Sequence, residues 1–148
     1  MQLGVVTPVL TRTPKGHAAW EADAGIEEVA RIAGLRDRLA AGLAAAVPGI
    51  VVNGDPGRRV AGLLHVAVEA VEAETLLVAL DRAGVEAAAG SACSSGAIDP
   101  SHVLTAMGLP RERALSSVRF SLGWASTAAD VDAALAVVPD VVTRLRAA

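Results

Sequence analysis

Val60-Ala61-Gly62-Leu63-Leu64-His65-Val66-Ala67-Val68, followed after a short gap by a second apolar run from Glu72 to Ala83, sets the fold class. The first run is rich in residues that suit a pleated surface, and successive side chains of a strand point to opposite sides. Leu64, Val66 and Val68 then share one face, and Leu63, His65 and Ala67 the other. The second run has acids in its first turn and Gly84 just beyond its end, which marks the two ends of a helix. A strand feeding a helix through a tight turn is the unit from which the rest can be read.

Upstream, Ile26, Val29, Ile32, Leu35, Leu39, Leu43 and Val47 recur at three- and four-residue steps, with Glu27, Glu28, Arg31, Asp37 and Arg38 between them. That spacing predicts an amphipathic helix, closed by Pro48-Gly49. Gly34 and Gly42 each weaken it by about 1 kcal/mol, so tertiary packing must hold it. Ile50-Val51-Val52 is a short strand, and Asn53-Gly54-Asp55-Pro56-Gly57 is turn chemistry. Downstream, residues 85–89 form a third strand candidate. Asp99-Pro100 opens a short helix that runs to Met107 and stops at Gly108. From Ser116 to Leu122 the sequence alternates, with Val118, Phe120 and Leu122 opposite Ser117, Arg119 and Ser121. Val131, Ala134, Leu135, Val138, Val142 and Leu145 give a long closing helix, which Pro139 should kink or split. The expected fold is an α/β two-layer domain over residues 25–148, a short mixed or antiparallel sheet with helices mainly on one face. Residues 1–24 lack a sustained apolar period and read as a weakly ordered lead-in.

The length of 148 residues fits one domain. Apolar residues make up 53% and aromatics 2%, so the core must be built from Ala, Val and Leu. Charged residues interrupt every apolar run before the ~18 residues a membrane span needs, and Met1-Gln2-Leu3-Gly4 has no basic leader character. A net charge of −3 and only Phe120, Trp20 and Trp124 as aromatics argue against a nucleic-acid surface. One cysteine excludes an internal disulfide and fits a reducing, cytoplasmic setting.

That cysteine lies in Gly90-Ser91-Ala92-Cys93-Ser94-Ser95-Gly96. Seven small residues pack poorly, and Gly90 and Gly96 give the backbone freedom, so the Cys93 thiol is expected on an exposed, flexible loop. The common fate of a lone cysteine is burial as a small hydrophobe, but such a residue has bulky apolar neighbours. A reactive thiol needs help to ionise. His102 or the helix start at Asp99-Pro100 could supply it, although the capping acid opposes a thiolate and His102 reads as a helix-surface residue. Arg119, on a strand face with Ser117 and Ser121, could grip a carboxylate through two parallel bonds; the ordinary alternative is a snorkelling surface arginine. His17, His65, His102 and Cys93 have no metal-ligand spacing, so no metal is expected.

The Gly90–Gly96 run, followed in order by Pro100-Ser101-His102-Val103-Leu104, Met107-Gly108-Leu109 and Ser117-Val118-Arg119-Phe120-Ser121-Leu122-Gly123, resembles the C-terminal small domain of pyridoxal-phosphate-dependent cysteine desulfurases, in the class V aminotransferase group. Arg36-Asp37-Arg38-Leu39, Val52-Asn53-Gly54-Asp55 and Asp130-Val131-Asp132 fall in the matching order, so the resemblance extends from about Ile26 to Leu145. It implies that Cys93 takes sulfur from L-cysteine as a persulfide, leaving L-alanine, and passes it to an acceptor protein such as an iron–sulfur scaffold. It implies that Arg119 holds the substrate carboxylate. The cofactor would be pyridoxal phosphate, whose Schiff-base lysine and other anchors lie in a large domain that this sequence lacks. Lys15 is the only lysine and reads as a solvated charge. The chain is therefore expected to be incomplete by itself, to need a large cofactor-binding domain or chain, and to self-associate through the apolar surface left uncovered. The alternative is a non-catalytic sulfur relay or interaction module, or a decayed fragment. The sequence departs from the family at His65, where relatives tend to carry Asn, and at Trp124-Ala125-Ser126.

Overall fold

The computed structural model describes residues 22–89 and 99–148. The chain runs α1 (Ala22–Ala46), β1 (Ile50–Val52), β2 (Leu63–Val68), α2 (Ala73–Arg82), β3 (Ala88–Ala89), α3 (His102–Ala106), α4 (Arg111–Leu115), β4 (Ser117–Ser121) and α5 (Ala128–Ala147). The strands form one sheet in the order β1-β2-β4-β3, and each neighbouring pair is antiparallel. The Gly90–Gly96 run with Cys93, and Lys15 and His17 of the expected lead-in, lie outside the described residues.

Register explains how the sheet sorts its faces. Leu64 stands opposite Phe120, and Val66 opposite Val118. Ile50 and Val52 continue the same face across β1 by pairing with Val68 and Val66. All of these but Ile50 and Val52 are buried, and they pack with Leu39 and Leu43 of α1, Leu76 and Leu80 of α2, and Val131, Val138, Val141 and Val142 of α5. Each fully buried Leu or Val contributes roughly 1.5–3 kcal/mol. This packing outweighs the helix penalty of Gly42, where the missing side chain lets Leu135 of α5 settle; a Cβ there would lie 2.5 Å from Leu135 Cδ2. Three helices thus cover one face, while α3 and α4 lie along the chain beside the other.

α1 outruns the sheet it packs on. Its 25 residues span roughly 37 Å, against roughly 20 Å for a six-residue strand. The apolar stripe is continuous in sequence, but only its second half is covered among the described residues: Leu39 and Leu43 are buried, whereas Ile26 is 67% exposed and Val29 54%.

Several boundaries differ from expectation. β2 begins at Leu63 rather than Val60, because the Arg36 guanidinium takes the carbonyls of Val60 and Ala61, at 3.0 and 3.1 Å, and holds them out of the ladder. Arg36 is itself buried and paired with Asp37 at 2.8 Å. Only Ala88 and Ala89 of the expected third strand pair with β4. Val85 belongs to the end of α2, where its N–H bonds Leu80 O and that of Gly84 bonds Asp81 O. With Gly84 at φ +82°, this is a Schellman stop, so the glycine ends the helix as expected. α3 starts at His102 with Ser101 at its cap position, not at Asp99-Pro100, and Asp99 lies 3.9 Å from Arg111 instead. α4 was not expected from the periodicity. α5 is not split at Pro139, since buried Val138, Val141 and Val142 anchor it on both sides of the ring. Its first turn is closed by a capping box between Thr127 and Asp130.

Candidate active site

The polar face of the sheet carries one row of side chains across all four strands. Asn53 follows directly on β1, and its backbone N–H donates to His65 O at 2.8 Å. His65 of β2 stands opposite Arg119 of β4, which stands opposite Ala88 of β3. Alternation is the cause: the apolar partners Val66 and Val118 face the helices, so their neighbours must face away.

Hydrogen bonds fix this row from below. Arg113 Nε, on α4, donates to Asn53 at 2.7 Å, and a second guanidinium nitrogen reaches Val52 O at 3.2 Å. A guanidinium only donates, so the Asn53 atom facing it is Oδ1. The amide nitrogen therefore points the other way, donating to Ser117 Oγ at 2.9 Å and to His65 Nδ1 at 3.0 Å. Ser117 Oγ in turn donates to Arg113 O at 2.5 Å. Nδ1 of His65 is thus an acceptor, and the neutral ring carries its proton on Nε2. Burial, and then the charge of Arg119, push the His65 pKa below its ordinary value, which keeps the ring neutral.

Asn53, His65, Ser101 and Arg119 line a groove of about 220 Å³ whose remaining wall is Val103, Leu104 and Met107 of the α3 region. Arg119 is exposed, and none of the described carboxylates lies within ion-pair range of it. The groove therefore offers a fixed cation, a ring N–H and an apolar wall, a donor set suited to a carboxylate. His102 sits on the exposed surface of α3, as its position suggested. Cys93, Gly90 and Gly96 lie outside the described residues, so their relation to Arg119 is not part of this geometry. The sequence reading missed Asn53, Arg113 and Ser117 as a unit. Extending the β1–β2 register by one residue would have placed Asn53 beside His65; Arg113 had no such signal.

The class-V aminotransferase family matches residues 15–134. The chain belongs to that family. Among curated relatives, it is 42% identical over 132 residues to cysteine desulfurase 2 of Trichormus variabilis, covering 89% of this chain and 33% of that protein. It is 47% identical over 126 residues to the IscS-like cysteine desulfurase of Mycobacterium tuberculosis, covering 84% and 32%. The solved NifS-like protein of Rickettsia africae superposes with a TM-score of 0.68 at 24% identity, covering 80% of this chain and 30% of that one, and so shares the fold. The chain spans about a third of the length of the curated relatives it matches. As a class-V aminotransferase domain it is an α/β unit, which agrees with the expected architecture and with an antiparallel rather than mixed sheet.

The described residues do not make a site for pyridoxal phosphate. They include no lysine to form the covalent link, and the groove lining has no carboxylate for a pyridine nitrogen. Nor do three or more His, Cys, Asp or Glu side chains gather as a metal site among the described residues. Among the same residues, no helix is long and apolar enough to cross a membrane.

Proposed function

We propose that this class-V aminotransferase domain is the small, C-terminal domain of a cysteine desulfurase, spanning residues 25–148. The observation that carries the reading is Arg119, a cation without a carboxylate partner among the described residues, on the polar floor of a groove in a chain whose relatives are named cysteine desulfurases. Arg119 binds the carboxylate of L-cysteine. Cys93, between Gly90 and Gly96, attacks the substrate sulfur, so that a sulfur–sulfur bond forms as the carbon–sulfur bond breaks. Its electron pair and a proton end on carbon, which gives L-alanine and a persulfide on Cys93. The electron sink for that cleavage, pyridoxal phosphate in this family, belongs to a large domain or second chain, since the residues described here do not hold it. A sulfur-acceptor protein then receives the persulfide sulfur, in a reducing compartment that keeps the thiol free. Self-association of the chain is part of the same reading.

The test isolates the tagged chain from its own cells, so that any cofactor-bearing partner comes with it. Such a preparation should convert L-cysteine to alanine and label Cys93 as a persulfide, while C93A loses the label and R119A loses both products. Alanine formation that survives R119A unchanged would sink the reading. A persulfide on Cys93 without alanine would instead favour a sulfur relay, a reading supported by the lack of cofactor anchors among the described residues.

A further inference from the structure

We infer that His65 Nε2–H and the Arg119 guanidinium together form a two-point subsite for the carboxylate of a small α-amino acid. The inference rests on the reading of Arg119 as a carboxylate ligand and adds a second, independent contact to it.

Three observations carry it. First, His65 and Arg119 are direct cross-strand partners on one face, which sets their Cβ atoms about 5 Å apart, and both line the groove. Second, the ring is oriented rather than free. Asn53 Nδ2 occupies Nδ1, and the amide cannot flip, because Arg113 holds its oxygen and Ser117 its nitrogen. Third, Nε2 has no hydrogen-bond partner among the described residues, whereas Nδ1 and both polar atoms of the Asn53 amide have theirs. A histidine serving only to fill the core would have both nitrogens satisfied or excluded from the groove. A carboxylate has four lone-pair positions, enough for two guanidinium N–H groups and the imidazole N–H at once. The apolar wall of Val103, Leu104 and Met107 suits a short side chain.

Nuclear magnetic resonance on the isotopically labelled full chain tests this, with L-alanine as probe and L-alanine methyl ester as control. The His65 ring nitrogens and the Arg119 Nε–H should shift together on adding L-alanine, with one dissociation constant, and should stay unmoved with the ester. H65F should weaken binding about tenfold. H65Q, which restores an N–H near the Nε2 position, should bind within about threefold of the parent. If Arg119 responds but His65 does not, or if folded H65F binds as well as the parent, the inference fails while the reading of Arg119 stands. If neither residue responds, both fail. Should H65F not fold, the parent titration with its ester control decides the matter alone.

Discussion

Arg113 Nε donates to Asn53 Oδ1 across 2.7 Å, tying the short α4 to the end of β1. Asn53 is only 8% exposed, so its oxygen has little access to water once that donor is gone. R113A should cost about 1–3 kcal/mol, the usual penalty for orphaning a buried acceptor. Urea denaturation gives the value. The same variant releases the amide to rotate, so the ring nitrogen shifts of His65 should move toward a mixture of tautomers. Unchanged stability in R113A would mean that solvent already serves Asn53.

His65 gives stability a pH dependence with a definite sign. Burial, followed by the charge of Arg119, holds its folded pKa below the unfolded value of about 6.5. As pH falls through 6.5, the unfolded chain takes up a proton that the folded chain refuses, so folding loses stability until the folded pKa is passed. Above 6.5 the contribution is fully present. Compared with H65Q at pH 7.5, 6 and 5, the parent should therefore lose more stability on acidification. R119Q should make that difference smaller, by removing the nearby positive charge. Parallel curves for parent and H65Q would contradict the assignment.

Two glycines should respond to the same substitution in opposite directions. A Cβ at Gly62 would lie 2.2 Å from the backbone oxygen of Leu122, whose N–H donates to Gly62 O at 2.7 Å. Neither backbone segment, each adjoining its strand, can yield without breaking that bond, so G62A should destabilise by roughly 1–3 kcal/mol. At Gly34, within α1, an added Cβ meets nothing within 4 Å. G34A should therefore stabilise by about 0.5–1 kcal/mol, the ordinary advantage of alanine inside a helix. Melting temperatures that move downward for G62A and upward for G34A are the expected result.

Sequence periodicity found the long helices and the alternation of β2 and β4 because each of those elements buries one clean apolar face. It placed His65 and Arg119 on the polar face of their strands for the same reason. What it could not see were long-range polar bonds. Nothing near Val60 signals that Arg36, 24 residues earlier, will draw its carbonyl out of the sheet. Nothing in Arg111-Glu112-Arg113-Ala114-Leu115 signals a one-turn helix whose arginine reaches Asn53, 60 residues upstream. The Asp99-Pro100 start differs from the observed one because its cap chemistry fits a helix two residues earlier than the observed cap, Ser101. Pro139 misled in the other direction: one missing amide is a small local defect beside a row of buried valines.

The sheet is widest at its centre and narrow at its margins: its outer strands, β1 and β3, have three and two residues. Among the described residues an intruding peptide would find a foothold of only one or two free amides on either border, too little to seed cross-β growth. In a chain of mean hydropathy +0.47, a long exposed strand edge would be a hazard. Among the described residues the fold keeps its long ladders, β2 and β4, in the middle, where each already has a companion on both flanks.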